Sequence, residues 1–173
     1  MASKDTYAGD TASETYFAST QAGVATSIAL STTQTGFTLT NPLGSGKTLV
    51  VLQVRGALTT APAAIATVVL AAGALHSTAV VQTTPLTVRN VNFGVTKTGA
   101  GLAASAVTLP AAPVVARGLG GPVATGSVSQ PQIVDDIDGA ILVAPGCSLS
   151  INSLTTAISG IWSMTWKEIA EIA

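Results

Sequence analysis

Reactive side chains are scarce in these 173 residues: one His, one Cys, seven basic and eight acidic groups. The densest cluster is Val134-Asp135-Asp136-Ile137-Asp138-Gly139. Closely spaced carboxylates followed by glycine suit a hard cation such as Ca²⁺, which needs oxygen ligands and a sharp turn. In an extended segment Asp136 and Asp138 fall on one face. The EF-hand spacing fails, because no Glu stands at the required downstream position. The competing reading is a solvated loop whose charge discourages edge pairing or meets a basic partner. Asp135, Asp136 and Asp138 are therefore the only metal-ligand candidates, and no cofactor is expected. His76 has no carboxylate beside it in the sequence, so neither a Ser-His-Asp nor a Cys-His set assembles from local clues. A turn or surface position is expected for it. Cys147, between Gly146 and Ser148, is expected to pack as a small apolar residue. With a single cysteine, one chain holds neither a disulfide framework nor a Cys-based zinc site. No catalytic residue is assigned, and a non-enzyme is expected.

A second segment, Asn41-Pro42-Leu43-Gly44-Ser45-Gly46-Lys47-Thr48, matches the end of the phosphate-binding pattern G-x-x-x-x-G-K-[ST]. Asn41 replaces the first glycine. Such a loop must open a helix, whose N-terminus contributes to phosphate binding. Here Thr48 to Val54 (TLVVLQV) is dominated by strand formers. The segment is expected to be a glycine-rich turn followed by a strand. Gly44-Ser45-Gly46 is also not the G-x-S-x-G nucleophile elbow.

Charged residues make up 9% of the chain, against about 25% in ordinary domains, while 47% is apolar and only 4% aromatic. That balance excludes a disordered chain. A net charge of −1 leaves no electrostatic footprint for nucleic acid. No charge lies between Glu14 and Lys47, Arg55 and Arg89, Lys97 and Arg117, or Asp138 and Lys167. A dispersed monomer normally carries more charge. Two causes are expected to act together: outer faces soluble through Thr and Ser hydroxyls, and surface covered by other subunits. The stretch from Ala57 to Val81 is long and apolar, but Pro62, Gly73 and His76 interrupt it and aromatic anchors are absent. A buried strand pair connected near Gly73 is expected there, not a membrane span. The polar start MASKDTYAGDTASETYF lacks the apolar region of a secretory signal.

The elements that would position these groups read as strands. Residues 1–22 form a polar leader with a loose echo, Asp5-Thr6-Tyr7-Ala8 and Glu14-Thr15-Tyr16-Phe17-Ala18, and are expected to be an extended arm. Residues 23–173 are expected to form one domain. Residues 26–31 alternate, with Ile28 and Leu30 on one face, and Phe37 and Leu39 alternate with Thr38 and Thr40. The Ala-rich 61–75 run is open between helix and strand. Residues 80–95 read as two short strands around Thr84-Pro85, 97–104 as loop, and 107–109 and 114–116 as short strands. Gly118 to Pro122 reads as a breaker. Residues 140–143 read as a strand stopped by Pro145-Gly146, and 148–152 as an alternating strand. In 161–167 Trp162, Met164 and Trp166 share one face, and 168–173 reads as a helical turn. Many short strands with Gly/Pro turns between them predict an antiparallel all-β sandwich or barrel.

The run Asp138-Gly139-Ala140-Ile141-Leu142-Val143-Ala144-Pro145-Gly146-Cys147-Ser148-Leu149-Ser150-Ile151, continued by Trp162-Ser163-Met164-Thr165-Trp166-Lys167-Glu168-Ile169, resembles the end of small jelly-roll domains in tailed-bacteriophage virion proteins. There an apolar strand, a Pro-Gly turn, an alternating strand and a final Trp-x-Glu strand close the sandwich. The Asn41–Val51 segment resembles the turn and strand near the start of such domains. The resemblance covers about a third of the chain, and residues 56–131 match nothing comparable. It implies a jelly-roll-like sandwich acting as a head decoration (cement) protein. It further implies a homo-oligomer, of trimeric type, bound to the major capsid protein on the outer surface of the head. Neither nucleic acid nor membrane is an expected partner. The clustered aromatics Tyr7, Tyr16 and Phe17 are expected to anchor the arm to the shell. The alternative function is a tail or spike module that recognises a host glycan.

Overall fold

A computed structural model of the chain describes residues 14–74, 76–121 and 132–171. Side-chain alternation decides β12 (Ser159–Ala170), one of three strands of 12 residues: every even residue from Gly160 to Glu168 is buried and the odd ones face outward. The other strands are β1 (Thr15–Ser19), β2 (Val24–Ala25), β3 (Thr33–Thr40), β4 (Lys47–Leu58), β5 (Val68–Gly73) and β6 (Val81–Leu86). They continue with β7 (Arg89–Asn90), β8 (Leu102–Thr108), β9 (Val114–Gly120), β10 (Gln132–Val143) and β11 (Ser148–Ser153). The described residues are 58% strand without a helix, which makes the class all-β.

Two antiparallel sheets pack face to face as a β-sandwich. One has the order β10-β4-β12-β1-β7, with β2 joined to β12; the other has the order β6-β8-β3-β11-β5-β9. Between them lie Trp162, Met164, Trp166 and Val51 from the first sheet and Phe37, Leu39, Leu149, Ile151 and Leu70 from the second. With so few aromatics, the two Trp are the largest buried units. A Cβ at Gly56 would run into the Trp162 ring, and the indole N–H of Trp162 donates to the Val24 carbonyl at 2.9 Å. On β8, Ala103 joins this core, whereas Ala104 joins a second, smaller cluster with Val107, Leu109 and Val80. Consecutive residues thus serve opposite faces. At the free edges of the two sheets, Arg117 of β9 grips Asp135 of β10 through two hydrogen bonds of 2.7 and 2.9 Å.

Several expectations change. The boundary between arm and domain does not fall at residue 22: β1 sits between β12 and β7, and Tyr16 is a core residue. Residues 26–31 are not a strand, because Thr26 and Ser27 spend their backbone and hydroxyl groups on bonds to Ile158, Ser153 and Thr35. Ile28 is left exposed. Pro85 does not divide two strands. It lies within β6, an edge strand, where its missing N–H does no harm. The 57–81 stretch supplies one interior strand, β5, ending at Gly73, instead of a pair. Gly118 and Gly120 belong to β9, whose pairing with β5 shifts register twice around them. Strand β12 runs on through Ala170, replacing the expected helical turn, because Glu168 has a buried role.

Candidate functional site

The turn at 41–46 joins β3 to β4, with Gly44 and Gly46 in the left-handed region at φ 68° and 63°. Asn41 is fully buried and holds the turn: its Nδ2 donates to the Lys47 and Val143 carbonyls at 2.7 and 2.8 Å, and its Oδ1 accepts from Ser45 Oγ at 2.7 Å. Lys47 opens a strand, so the helix N-terminus that phosphate binding requires is replaced by β4.

The three aspartates do not converge. Asp135 meets Arg117, whereas Asp136 accepts a hydrogen bond from Gln53 Nε2, and Gln53 in turn accepts from Arg55 Nε at 2.6 Å. Asp138 has φ 49° at the irregularity between Asp136 and Ile141, followed by Gly139 at φ 83°. They lie on a bulged strand and not in a loop; Asp136 and Asp138 both face outward on either side of buried Ile137, while Asp135 turns the other way to Arg117, so the three carboxylates are divided between two faces. Among the described residues no group of three or more potential ligands is placed to hold a metal ion.

His76 is buried, not superficial, and burial holds its imidazole below the ordinary pKa of 6.5. Its Nε2 lies 3.5 Å from Ser148 Oγ, at the outer limit of hydrogen bonding, and Ser148 is itself shut off from solvent. The sheet thus brings together a Ser–His pair that no sequence motif announced. Substrate has no access to it, so the pair packs the loop after β5 against β11. Cys147 is half-buried and packs against the main core, and burial pushes its thiol pKa up. Its low thiolate content suits packing better than nucleophilic chemistry.

Of the three aromatic candidates, Tyr7 lies outside the described residues. Tyr16 is buried, with its ring centroid 6.5 Å from that of Trp166, and cannot contact a partner. Phe17 remains half-buried on the outer side of β1 and meets Phe93 edge-on, with centroids 5.7 Å apart and planes at 68°. Phe93 is 78% exposed, the most exposed large apolar side chain among the described residues. Val95 is exposed nearby in sequence.

Sequence reasoning missed Phe93, because it stands alone in a loop after β7. It also missed the group that fixes this loop. Glu168 is 3% exposed, and its carboxylate accepts N–H bonds from Ala100 and Gly101 at 2.9 and 2.8 Å and from Trp166 Nε1 at 3.2 Å. Glycines at 99 and 101 leave room for it: a Cβ at 99 would lie 2.6 Å from Glu168 Oε1, and one at 101 would lie 2.9 Å from Trp166 Nε1. Lys97 pairs with Glu14, so a second contact ties the same loop to the start of β1. The alternation Trp162, Met164, Trp166 already put residue 168 on the inner face.

A cleft of about 150 Å³ lies between Pro42 and Leu43 of the first turn, Thr78 and Val80, and Leu102. It is small beside the roughly 300 Å³ of ordinary metabolite pockets, and it is mainly apolar. Thr40 borders it, but the Thr40 hydroxyl is sealed from solvent without a hydrogen-bond partner. Among the described residues, exposed large apolar side chains are numerous. No family model, curated protein or solved structure matches the chain.

Proposed function

We propose that the chain is a virion structural protein of tailed-bacteriophage type: a head decoration (cement) protein that works by binding and not by catalysis. In this reading the sandwich is jelly-roll-like, and homo-oligomers, of trimeric type, sit on the outer surface of the head against the major capsid protein. The observation that carries the reading is the Phe17–Phe93 pair. An exposed aromatic, held by a loop anchored twice and packed on Phe17 of β1, is suited to be a binding hot spot. The low charge of the chain and the resemblance of 138–169 support the same reading. Binding to the assembled shell stabilises it by mass action, and repetition over a lattice multiplies weak contacts.

The test is to compare intact particles carrying the wild-type protein with particles carrying Phe93→Ser, by copy number and surface labelling. The expected result is many copies on the outside for the wild type, with occupancy lowered about tenfold by loss of the hot spot. Absence of the wild type from heads, together with specific binding to a host glycan, would replace this reading with the tail or spike module.

A further inference from the structure

Among the described residues, the segment 76–80 between β5 and β6 is held to the sandwich at its two ends. Ser77, Thr78 and Ala79 are exposed, and 77–80 make no hydrogen bond to other described residues. At one end Val80 packs on the small apolar cluster of Ala104, Val107 and Leu109. At the other, His76 N donates to Gly146 O at 2.9 Å and the imidazole is buried. The second sheet builds a seat for that ring. Gly73, Ser148, Thr40 and Leu102 are successive cross-strand partners on β5, β11, β3 and β8. Their neighbours Leu149, Leu39 and Ala103 face the main core, so this row faces outward. A Cβ at Gly73 would run into Ser148 Oγ and stand 2.8 Å from His76 Nε2, so the imidazole fills space that a side chain at 73 would need. Thr40 and residues 78–80 line the same small cleft, and the Thr40 hydroxyl is buried without a partner. The row lies at the opposite end of β5 from Val68, which pairs with Gly120, and β1 belongs to the other sheet.

A neutral imidazole suits this seat and an imidazolium does not. Strands β3, β5 and β11 hold no ionisable residue, and the 144–147 turn holds only Cys147, whose thiol is kept protonated by burial. Desolvation is accordingly the one cause that lowers the His76 pKa. A proton added here meets no carboxylate and is stabilised only when the ring reaches water. Leaving the seat costs one backbone hydrogen bond and the contacts of Val80. Water reaching the Thr40 hydroxyl offsets part of that cost. Opening either sheet would break whole ladders, so the segment can open alone.

We propose that residues 76–80 are a strap, plugged by His76, that closes over the outer face of the second sheet at neutral pH and lifts locally in acid, with both sheets intact, uncovering Ser148 and Thr40. The device uses no partner, so it stands apart from the function given above.

Amide exchange of the full chain, followed residue by residue by NMR and corrected for the intrinsic pH dependence of exchange, tests it. Between about pH 7.5 and about pH 5.5 the protection of His76 N is expected to fall by up to about tenfold, as the freed ring takes up protons around its ordinary pKa of 6.5. Gly146 N and Asn41 N donate to Asn41 O and Cys147 O across the adjoining turn and should keep their protection. His76→Gln has no titrating ring, and its profile should not change with pH over this range. Gly73→Ala places a methyl in the seat and should strip His76 N of protection already at pH 7.5, with Gly146 N protected as before. Equal loss at all three amides would mean global unfolding and overturn the strap. So would a His76 N still fully protected at pH 5.5, a pH-dependent profile in His76→Gln, or a folded-state His76 titration at or above 6.5.

Discussion

Glu168 illustrates how a single side chain orders surface it does not itself present. Its carboxylate faces the interior and takes three N–H bonds, two of them from the backbone of the loop that bears Phe93. A carboxylate is favoured here because one compact group answers three donors that would otherwise be buried without partners. Glu168→Ala strands those donors and is expected to lower stability by on the order of 3 kcal/mol. Glu168→Gln keeps acceptor capacity at one oxygen and should lose less. Urea denaturation gives the size. Amide exchange at Ala100 and Gly101 gives the cause, since both should lose protection in the Ala variant even under conditions where the sheets remain closed.

At the scale of elements, β1 decides how the N-terminal region behaves. Five residues of β1 pair with β12, and Tyr16 and Phe17 also pair with β7. Removing β1 would expose Trp166 and an inner edge of β12. Deleting residues 2–19, and with them β1, is therefore expected to abolish cooperative unfolding. A stable, cooperatively melting 2–19 deletion would show that β1 is dispensable. Strand β10 shows how an edge is managed. A bulge at Asp138-Gly139 interrupts its ladder, and Asp135 and Asp136 are committed to Arg117 and Gln53. A bulged, charged edge resists pairing with other strands. These aspartates therefore hold the sandwich's open side and discourage edge-to-edge pairing.

For the whole molecule, one buried histidine couples the fold to pH. Desolvation lowers the His76 pKa, so the folded chain refuses a proton that the unfolded chain accepts below about 6.5. Stability from this source is complete above that pH. It declines as pH falls from 6.5 toward the folded-state pKa, and levels off there. Glu14 acts in the same direction in a lower window. Lys97 holds its carboxyl below the usual 4.5, so that contribution is lost as pH falls beneath 4.5, and it is weak because the pair is at the surface. Urea midpoints taken from about pH 7.5 to about pH 5.5 should decline for the wild type and stay level for His76→Gln. A level wild-type profile would mean that His76 does not govern this window.

The all-β class, the alternating Trp162–Trp166 strand and the turn at 41–46 followed by a strand were legible from the residues. Each depends on neighbours in sequence: period-two burial, β-branched runs, and Gly or Pro where the backbone reverses. The Ser148–His76 contact, the Glu168–Gly101 anchor and the Phe17–Phe93 pair join residues 72, 67 and 76 positions apart. No local pattern encodes such a distance. The same holds for the uncharged stretches 20–32, 59–67 and 154–158: the sequence determined that they carry no charge, but only the packing of two sheets decided that they lie side by side. Local preferences are set by each residue and its neighbours, whereas which surfaces adjoin is set by the register of strands brought together by a common core.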